Sequence, residues 1–298
     1  MDRRAALKIV LAAGVSAPAV GACGRSTERG TMSQATPQAP EGRMPAVFVA
    51  HGAPVSVKDP EWLAELHAWA QAMPRPKSIL MLSAHWLDQP LTLGATRTVP
   101  LVYDFYGFPE ELYRIQYAAP GDPALARRVR ELLVGSGPVA EDPERGLDHG
   151  AYVPLLGMYP DASVPVLQVS IPTMDPPALL ALGRALAPLR REGVLIMGSG
   201  FLTHNLRAAD LRSPNPVTPA WAVEFDAWIA DVLARQDVDA LLDYRRLAPG
   251  VRTALPTHEH FVPVVVAMGA SVEEPAEVRF PMTGFSFGSM TRRSVQFG

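Results

Sequence analysis

Leu195-Ile-Met-Gly-Ser-Gly-Phe-Leu-Thr-His-Asn205 decides how the rest of the chain is read. Val194 to Met197 is a short apolar run with the character of a buried strand. Gly198, Ser199 and Gly200 then break it, and His204 and Asn205 follow on the loop that leaves it. Val47-Phe-Val-Ala-His51-Gly and Ile79-Leu-Met-Leu-Ser-Ala-His85-Trp also run an apolar strand straight into a histidine. Asp148-His149-Gly150 and His258-Glu-His260 supply more. In an open α/β sheet, ligands collect beyond the carboxyl ends of the strands. Histidines delivered there by several strands converge.

Working outward, Pro45 to Ala50 reads as the first strand. Asp59 and Pro60 have the character of an N-cap and first helical residue. Trp62, Leu63, Leu66 and Trp69 mark the apolar side of that helix. Lys77 to Ser83 is the second strand, so a βαβ unit carries His51 and His85 at one edge. Leu91 to Thr98, Pro165 to Ile171, Val278 to Phe280 and Gly284 to Phe297 read as further strands. Helices are expected at Asp122 to Val134, Met174 to Arg191, Thr218 to Ala234, Val238 to Tyr244 and Val264 to Met268. Arg145 to Gly150 reads as a polar turn. The alternation predicts a single α/β domain: a central, mostly parallel sheet flanked by helices on both faces.

The bulk numbers narrow the function. A formal net charge of -3 gives no electrostatic reason to expect nucleic acid. The single cysteine, Cys23, excludes an internal disulfide framework and a thiolate cluster, so a metal site here must use His, Asp and Glu. Met1 to Lys8 is a charged segment, and the apolar stretch Ile9 to Val20 is short for a membrane span of about 20 residues. Residues 1–23 therefore read as an export signal. Arg3-Arg4 resembles the twin-arginine type, and Val20-Gly21-Ala22-Cys23 resembles a lipoprotein box. A plain signal cut near Ala22 is the alternative to membrane attachment through a lipidated Cys23. Residues 24–43 read as a flexible linker, and residues 44–298 as the catalytic domain.

Among the histidines, His67 sits mid-helix without a partner in sequence and is set aside. His51, His85 and His260 are candidate ligands, with His204 a weaker one. His258 would face elsewhere if its segment is helical, with His260 opening that helix. The glycines before His204 would let the backbone approach a ligand closely. Imidazole suits Fe, Zn, Cu and Ni alike, so ligand type does not name the metal. Three neutral ligands with open positions suit a chelating substrate plus a small molecule such as O2. The two-His-one-carboxylate triad is the nearest template, with an extra histidine in the carboxylate's place unless Glu259 fills it. His149 reads as an acid or base beside the metal, or as a turn histidine bonded to backbone. Tyr103 to Glu111 is an aromatic-rich loop, either a packed surface loop or a wall for a flat ring. Trp86 and Tyr106 are the candidate substrate-binding side chains.

Phe48-Val-Ala-His51-Gly-Ala-Pro, Ser83-Ala-His85-Trp, Tyr103-Asp-Phe-Tyr-Gly-Phe-Pro, Leu147-Asp-His149-Gly, Met197-Gly-Ser-Gly-Phe-Leu-Thr-His204-Asn and Glu259-His260-Phe-Val-Pro occur in that order. As a set they resemble the class III extradiol ring-cleaving dioxygenases, in the branch that resembles DOPA-4,5-dioxygenase. The resemblance covers roughly Met44 to Phe297. It implies a metal on His51, His85 and His260, Fe(II) for activity, and Zn(II) at the same site in some relatives. His204 matches a residue that is a ligand in some members and a catalytic base in others; His149 matches a second active-site histidine. The implied partners are a catecholic substrate and O2. Tyr152 stands where the family often has Trp, which would alter the pocket wall. The export signal is a second departure from a usually cytoplasmic family. A zinc hydrolase on the same histidines, or a non-catalytic metal-binding lipoprotein, stays open as an alternative.

Overall fold

A computed structural model describes residues 42–298 apart from 211, 214, 275 and 276. The export signal and almost all of the linker fall outside the described residues. The strands are β1 (Ala46–Ala50), β2 (Ser78–Leu87), β3 (Leu91–Leu93), β4 (Val139–Glu141), β5 (Val166–Ile171), β6 (Val194–Gly200), β7 (Val278–Met282), β8 (Phe285–Ser286), β9 (Met290–Thr291) and β10 (Ser294–Phe297). The helices are α1 (Pro60–Gln71), α2 (Pro123–Leu132), α3 (His149–Met158), α4 (Pro176–Leu186), α5 (Pro188–Arg191), α6 (Ala220–Ala234), α7 (Val238–Leu242), α8 (Tyr244–Leu247), α9 (Val251–Ala254) and α10 (Pro263–Gly269).

One sheet runs in the order β4-β3-β5-β2-β6-β1-β10-β7. Its centre, β5-β2-β6-β1, is parallel throughout. β10 returns antiparallel to β1, and β7 antiparallel to β10. On the far side β3 runs antiparallel to β5 and parallel to β4. β8 and β9 pair as a separate hairpin.

Strand alternation divides the core in two. Ala46, Phe48, Leu80, Leu82, Leu167, Val169 and Ile196 pack with α2, α4, α6 and α10 on one face. Val47, Val49, Ile79, Met81, Leu195 and Met197 pack with α1 and α3 on the other. This is the expected α/β domain with helices on both faces. Asp59, Asp122, Asp148 and Asp175 cap α1 to α4, each accepting a backbone N–H from the first turn. Such caps contribute about 1 kcal/mol apiece.

The boundaries differ from the sequence reading in instructive places. β6 is not broken at Gly198 but continues through Gly200. β2 extends to Leu87, so His85 lies within it rather than after it. The strand expected over Leu91 to Thr98 shrinks to β3, and Met174 to Arg191 divides into α4 and α5 at Pro188. α3 was not legible as a helix. Nearly every residue in it is buried, so it shows no apolar stripe, and Gly150, Pro154 and Gly157 read as breakers.

Arg190 ties the domain together. Its guanidinium is fully buried and donates to Met44 O (2.7 Å), Ala270 O (2.9 Å) and Phe297 O (3.0 Å). Burial, with help from Arg43 and Arg191, lowers its pKa to about 10, so it stays charged at neutral pH. Arg190→Met would leave three buried acceptors without partners. Each unmet acceptor costs about 1–3 kcal/mol, so the unfolding free energy in urea should fall by at least about 3 kcal/mol. A change near zero would show that the carbonyls find other donors.

Candidate metal centre

The register of the parallel strands sets the site. Ala50 pairs with Gly200 and Ser83 with Ser199, so β1 and β2 end level on either side of β6. The parity that sends Val47 and Val49 toward α3 sends His51 the same way, and Met81 and Ser83 are followed on that face by His85. His85 Nε2 lies 3.2 Å from His51 Nε2.

His260 arrives from the other face. It sits in the turn before α10, not in a helix, and passes over the end of β6, where Phe201 N–H donates to His260 O at 2.8 Å. A Cβ on Gly200 would stand 1.9 Å from that oxygen, and one on Gly198 would stand 2.4 Å from Pro263 O. The glycines therefore admit the 260–263 backbone, not a ligand as expected from the sequence. The crossing brings His260 Nε2 to 3.2 Å from His85 Nε2.

Each of these three imidazoles is held by its other nitrogen. His51 Nδ1 meets Ser199 Oγ at 2.9 Å, and Ser199 in turn donates to Gly150 O. His85 Nδ1 meets Asp104 Oδ2 at 3.1 Å, and His260 Nδ1 meets Glu259 Oε1 at 3.0 Å. These acceptors assign the proton to Nδ1 in all three rings and leave a lone pair on every Nε2. Metal–nitrogen bonds run about 2.0–2.1 Å, which places two ligand nitrogens roughly 2.8–3.4 Å apart for octahedral to tetrahedral angles. The His51–His85 and His85–His260 spacings and the tautomers fit a single divalent ion, with the His51 and His260 rings 5.5 Å apart between centroids. Glu259 meets His260 at Nδ1, the nitrogen away from His85.

The remaining candidates fall into place around this set. His149, first residue of α3, lies 3.9 Å from His85 between ring centroids, and its Nδ1 donates to Asp104 Oδ1 at 2.7 Å. His51, His85 and His149 offer ligand atoms within 4.8 Å of one another, as do His204, Glu259 and His260. His204 stacks on His260 with centroids 3.5 Å apart and planes 12° from parallel. Among the described residues no side chain binds its ring nitrogens. His258 turns away to Tyr244, and His67 is exposed on α1. The structure does not bring Trp86 or Tyr106 to the histidines. Next to His85 in β2, Trp86 packs beneath the Arg145 guanidinium, 5.0 Å away. Tyr106 is 92% exposed; its neighbour Phe105 meets His149 edge-on instead. Tyr152 is fully buried in the core on the α1 and α3 face, edge-on to Tyr103 at 6.3 Å.

The family described as the catalytic LigB subunit of aromatic ring-opening dioxygenase matches residues 44–298. This chain belongs to the LigB family. A 4,5-DOPA dioxygenase extradiol from Beta vulgaris is 43% identical over 234 residues, covering 76% of this chain and 86% of the relative. Another from Escherichia coli K12 is 38% identical over 263 residues, covering 86% and 95%. An uncharacterised Escherichia coli K12 protein of known crystal structure matches with a TM-score of 0.70 and 33% identity, over 86% of this chain and all of that one. The chain is thus a class III extradiol ring-opening dioxygenase of the branch that resembles DOPA-4,5-dioxygenase, acting on a small aromatic substrate with O2.

Sequence reasoning named histidines that the structure brings together but missed what orients them. Asp104 lies in a loop without periodicity, and Ser199 sits between glycines that drew attention to themselves. Phe201, edge-on to His51 at 5.0 Å, was also missed. Charge follows burial. Desolvation, then His85, holds His51 well below the usual imidazole range. Desolvation lowers His204 to about 3 and His260 to about 4, the latter against a hydrogen bond from Glu259 that raises it. Burial opposes charge on Asp104 and Glu259. The hydrogen bonds from His149 and His85 nevertheless hold Asp104 far below the carboxylate range, and those around Glu259, led by His260, lower it to about 2.

These shifts fix the pH response of the metal-free dioxygenase. The unfolded chain takes up protons on these imidazoles below about pH 6.5. The folded chain resists until about 4 at His260 and about 3 at His204. Stability is therefore greatest above pH 6.5 and declines as pH falls from there toward 4; the Glu259 contribution is lost later, from about 4.5 toward 2. The melting temperature of chelator-treated protein should drop across the upper interval. A flat profile there would contradict buried neutral imidazoles.

Proposed function

We propose that this dioxygenase uses Fe(II) held by His51, His85 and His260 to open the ring of a catechol between a hydroxyl-bearing carbon and its unsubstituted neighbour. The observation that carries the reading is that His85 Nε2 lies 3.2 Å from both His51 Nε2 and His260 Nε2, while the Nδ1 of each ring faces an acceptor. Bound there, the metal supplies Lewis acidity toward adjacent hydroxyl oxygens and a redox partner for O2. DOPA is the leading substrate because the relatives from Beta vulgaris and Escherichia coli are named for it.

His204 serves as general base. Each of the three proposed ligands faces an acceptor with its second nitrogen, whereas His204 has none among the described residues and keeps both ring nitrogens available. Its lowered pKa keeps it neutral, the form that accepts a proton. The phenolate charge created beside it then stabilises the imidazolium. His149, anchored through Nδ1, offers Nε2 to hold or return a proton as the ring opens. Phe105 and Phe201 add apolar edges that limit water.

Atoms balance as one catechol plus one O2 giving one muconic semialdehyde with both oxygen atoms incorporated. The test is anaerobic loading with Fe(II), a catechol panel that includes DOPA, and then admission of O2. Oxygen uptake with a yellow product, two labelled atoms from 18O2, and loss of both in His85→Ala is the expected result. His204→Ala should keep the metal and lose rate by roughly 100-fold or more. Full rate in that variant would remove the base, and loss of metal would make it a ligand.

Export is part of the same proposal and rests on Arg3-Arg4 and on Val20 to Cys23. Replacing both arginines by lysine should retain the protein inside the cell, and Cys23→Ser should abolish labelling by a palmitate analogue. Unchanged fractionation would remove the signal reading.

A further inference from the structure

Asp104 touches two histidines that the sequence assigns to different tasks. The backbone bridge between Val102 and Asp148, with Val102 N–H donating to Leu147 O at 2.9 Å, fixes the start of its loop beside α3. Tyr103 Oη donates to Ile115 O at 2.6 Å and secures the same loop from the other side. Two residues beyond the bridge, the Asp104 carboxylate lies between His149 and His85. Oδ1 accepts from the Nδ1 (2.7 Å) and backbone N–H (3.2 Å) of His149, and Oδ2 lies 3.1 Å from His85 Nδ1. His51 and His260 have separate acceptors, Ser199 and Glu259, so only this pair shares one.

We propose that Asp104 is a positioning residue that couples the metal ligand His85 to the acid–base residue His149, setting both rings through a single carboxylate. This rests on the reading that His51, His85 and His260 hold the metal. A carboxylate has acceptors only, so both facing Nδ1 atoms must carry protons and both Nε2 atoms face the site without one. Proton exchange at His149 and metal capture at His85 therefore depend on the same side chain.

Asp104→Asn separates this role from a merely structural one. The amide keeps the shape but offers one acceptor and one donor. One imidazole must then face an N–H and adopt the Nε2–H tautomer. If that ring is His85, it no longer ligates; if it is His149, its Nε2 becomes a fixed donor. The experiment uses the full chain with Zn(II) alone as probe, affinity by competition with a chromophoric chelator, and long-range 1H–15N spectra of the histidine rings.

The expected result is Nδ1–H on both His85 and His149 in the zinc-loaded wild type. Asp104→Asn should bind zinc about 10–100-fold more weakly, as loss of an outer hydrogen bond to a ligand does, with one ring switched to Nε2–H. Unchanged tautomers and zinc affinity in a folded Asp104→Asn would overturn the proposal, leaving only a lowered melting temperature. The wild-type spectrum decides independently of that variant's folding, because Nε2–H at either ring also overturns it. His51→Ala distinguishes the two levels. If it binds zinc as the wild type does, the metal site itself is wrong; if it loses zinc while Asp104→Asn does not, only the coupling fails.

Discussion

Imidazole nitrogens aimed at one point with no hydrogen between them repel, and this protein is built to hold them there. Ser199, Asp104 and Glu259 occupy the Nδ1 atoms of His51, His85 and His260, so no ring can turn a proton inward without losing a buried partner. The repulsion is relieved when a cation takes the shared point. Metal capture therefore contributes to stability as well as to chemistry, because the unfolded chain has no such arrangement.

Holding the rings demands rigidity from both faces of the sheet. On one side, Asp148 is fully buried and joins β2, β5 and α3. It accepts from Ser83 Oγ at 2.7 Å and Ala151 N–H at 3.2 Å, is bonded by Gln168, and has Arg145 at 3.3 Å to offset its charge. On the other side, the hydrogen bond from Phe201 to His260 fastens the turn across Gly200. A side chain at position 200 would push His260 away from His85, since the obstructing atom is backbone and has little freedom to yield.

The sheet, its faces and the histidines were legible because their causes are local. Apolar runs of strand length, aspartate caps before α1 to α4 and a histidine near three strand exits all lie in contiguous sequence. What orients the histidines was not legible. Asp104 and His149 are 45 positions apart, and Ser199 and His51 are 148 apart, so tertiary contact alone relates them. The glycines of β6 were read as strand breakers because a close backbone crossing leaves the same signature in sequence as a turn. Trp86 follows His85 in β2, but its ring packs against the Arg145 guanidinium, a contact that only the tertiary fold brings about.

Arg190 has a consequence for topology. It grips carbonyls near both ends of the folded domain, Met44 and Phe297, and the adjacent strands pair Ala46 with Phe297. The two ends therefore leave side by side from the amino edge of the parallel strands, opposite the edge that carries the histidines. A cargo fused at either end would sit at the strand edge away from the histidines. Joining the ends by a short linker and reopening the chain elsewhere would make a circular permutant with its chemistry undisturbed.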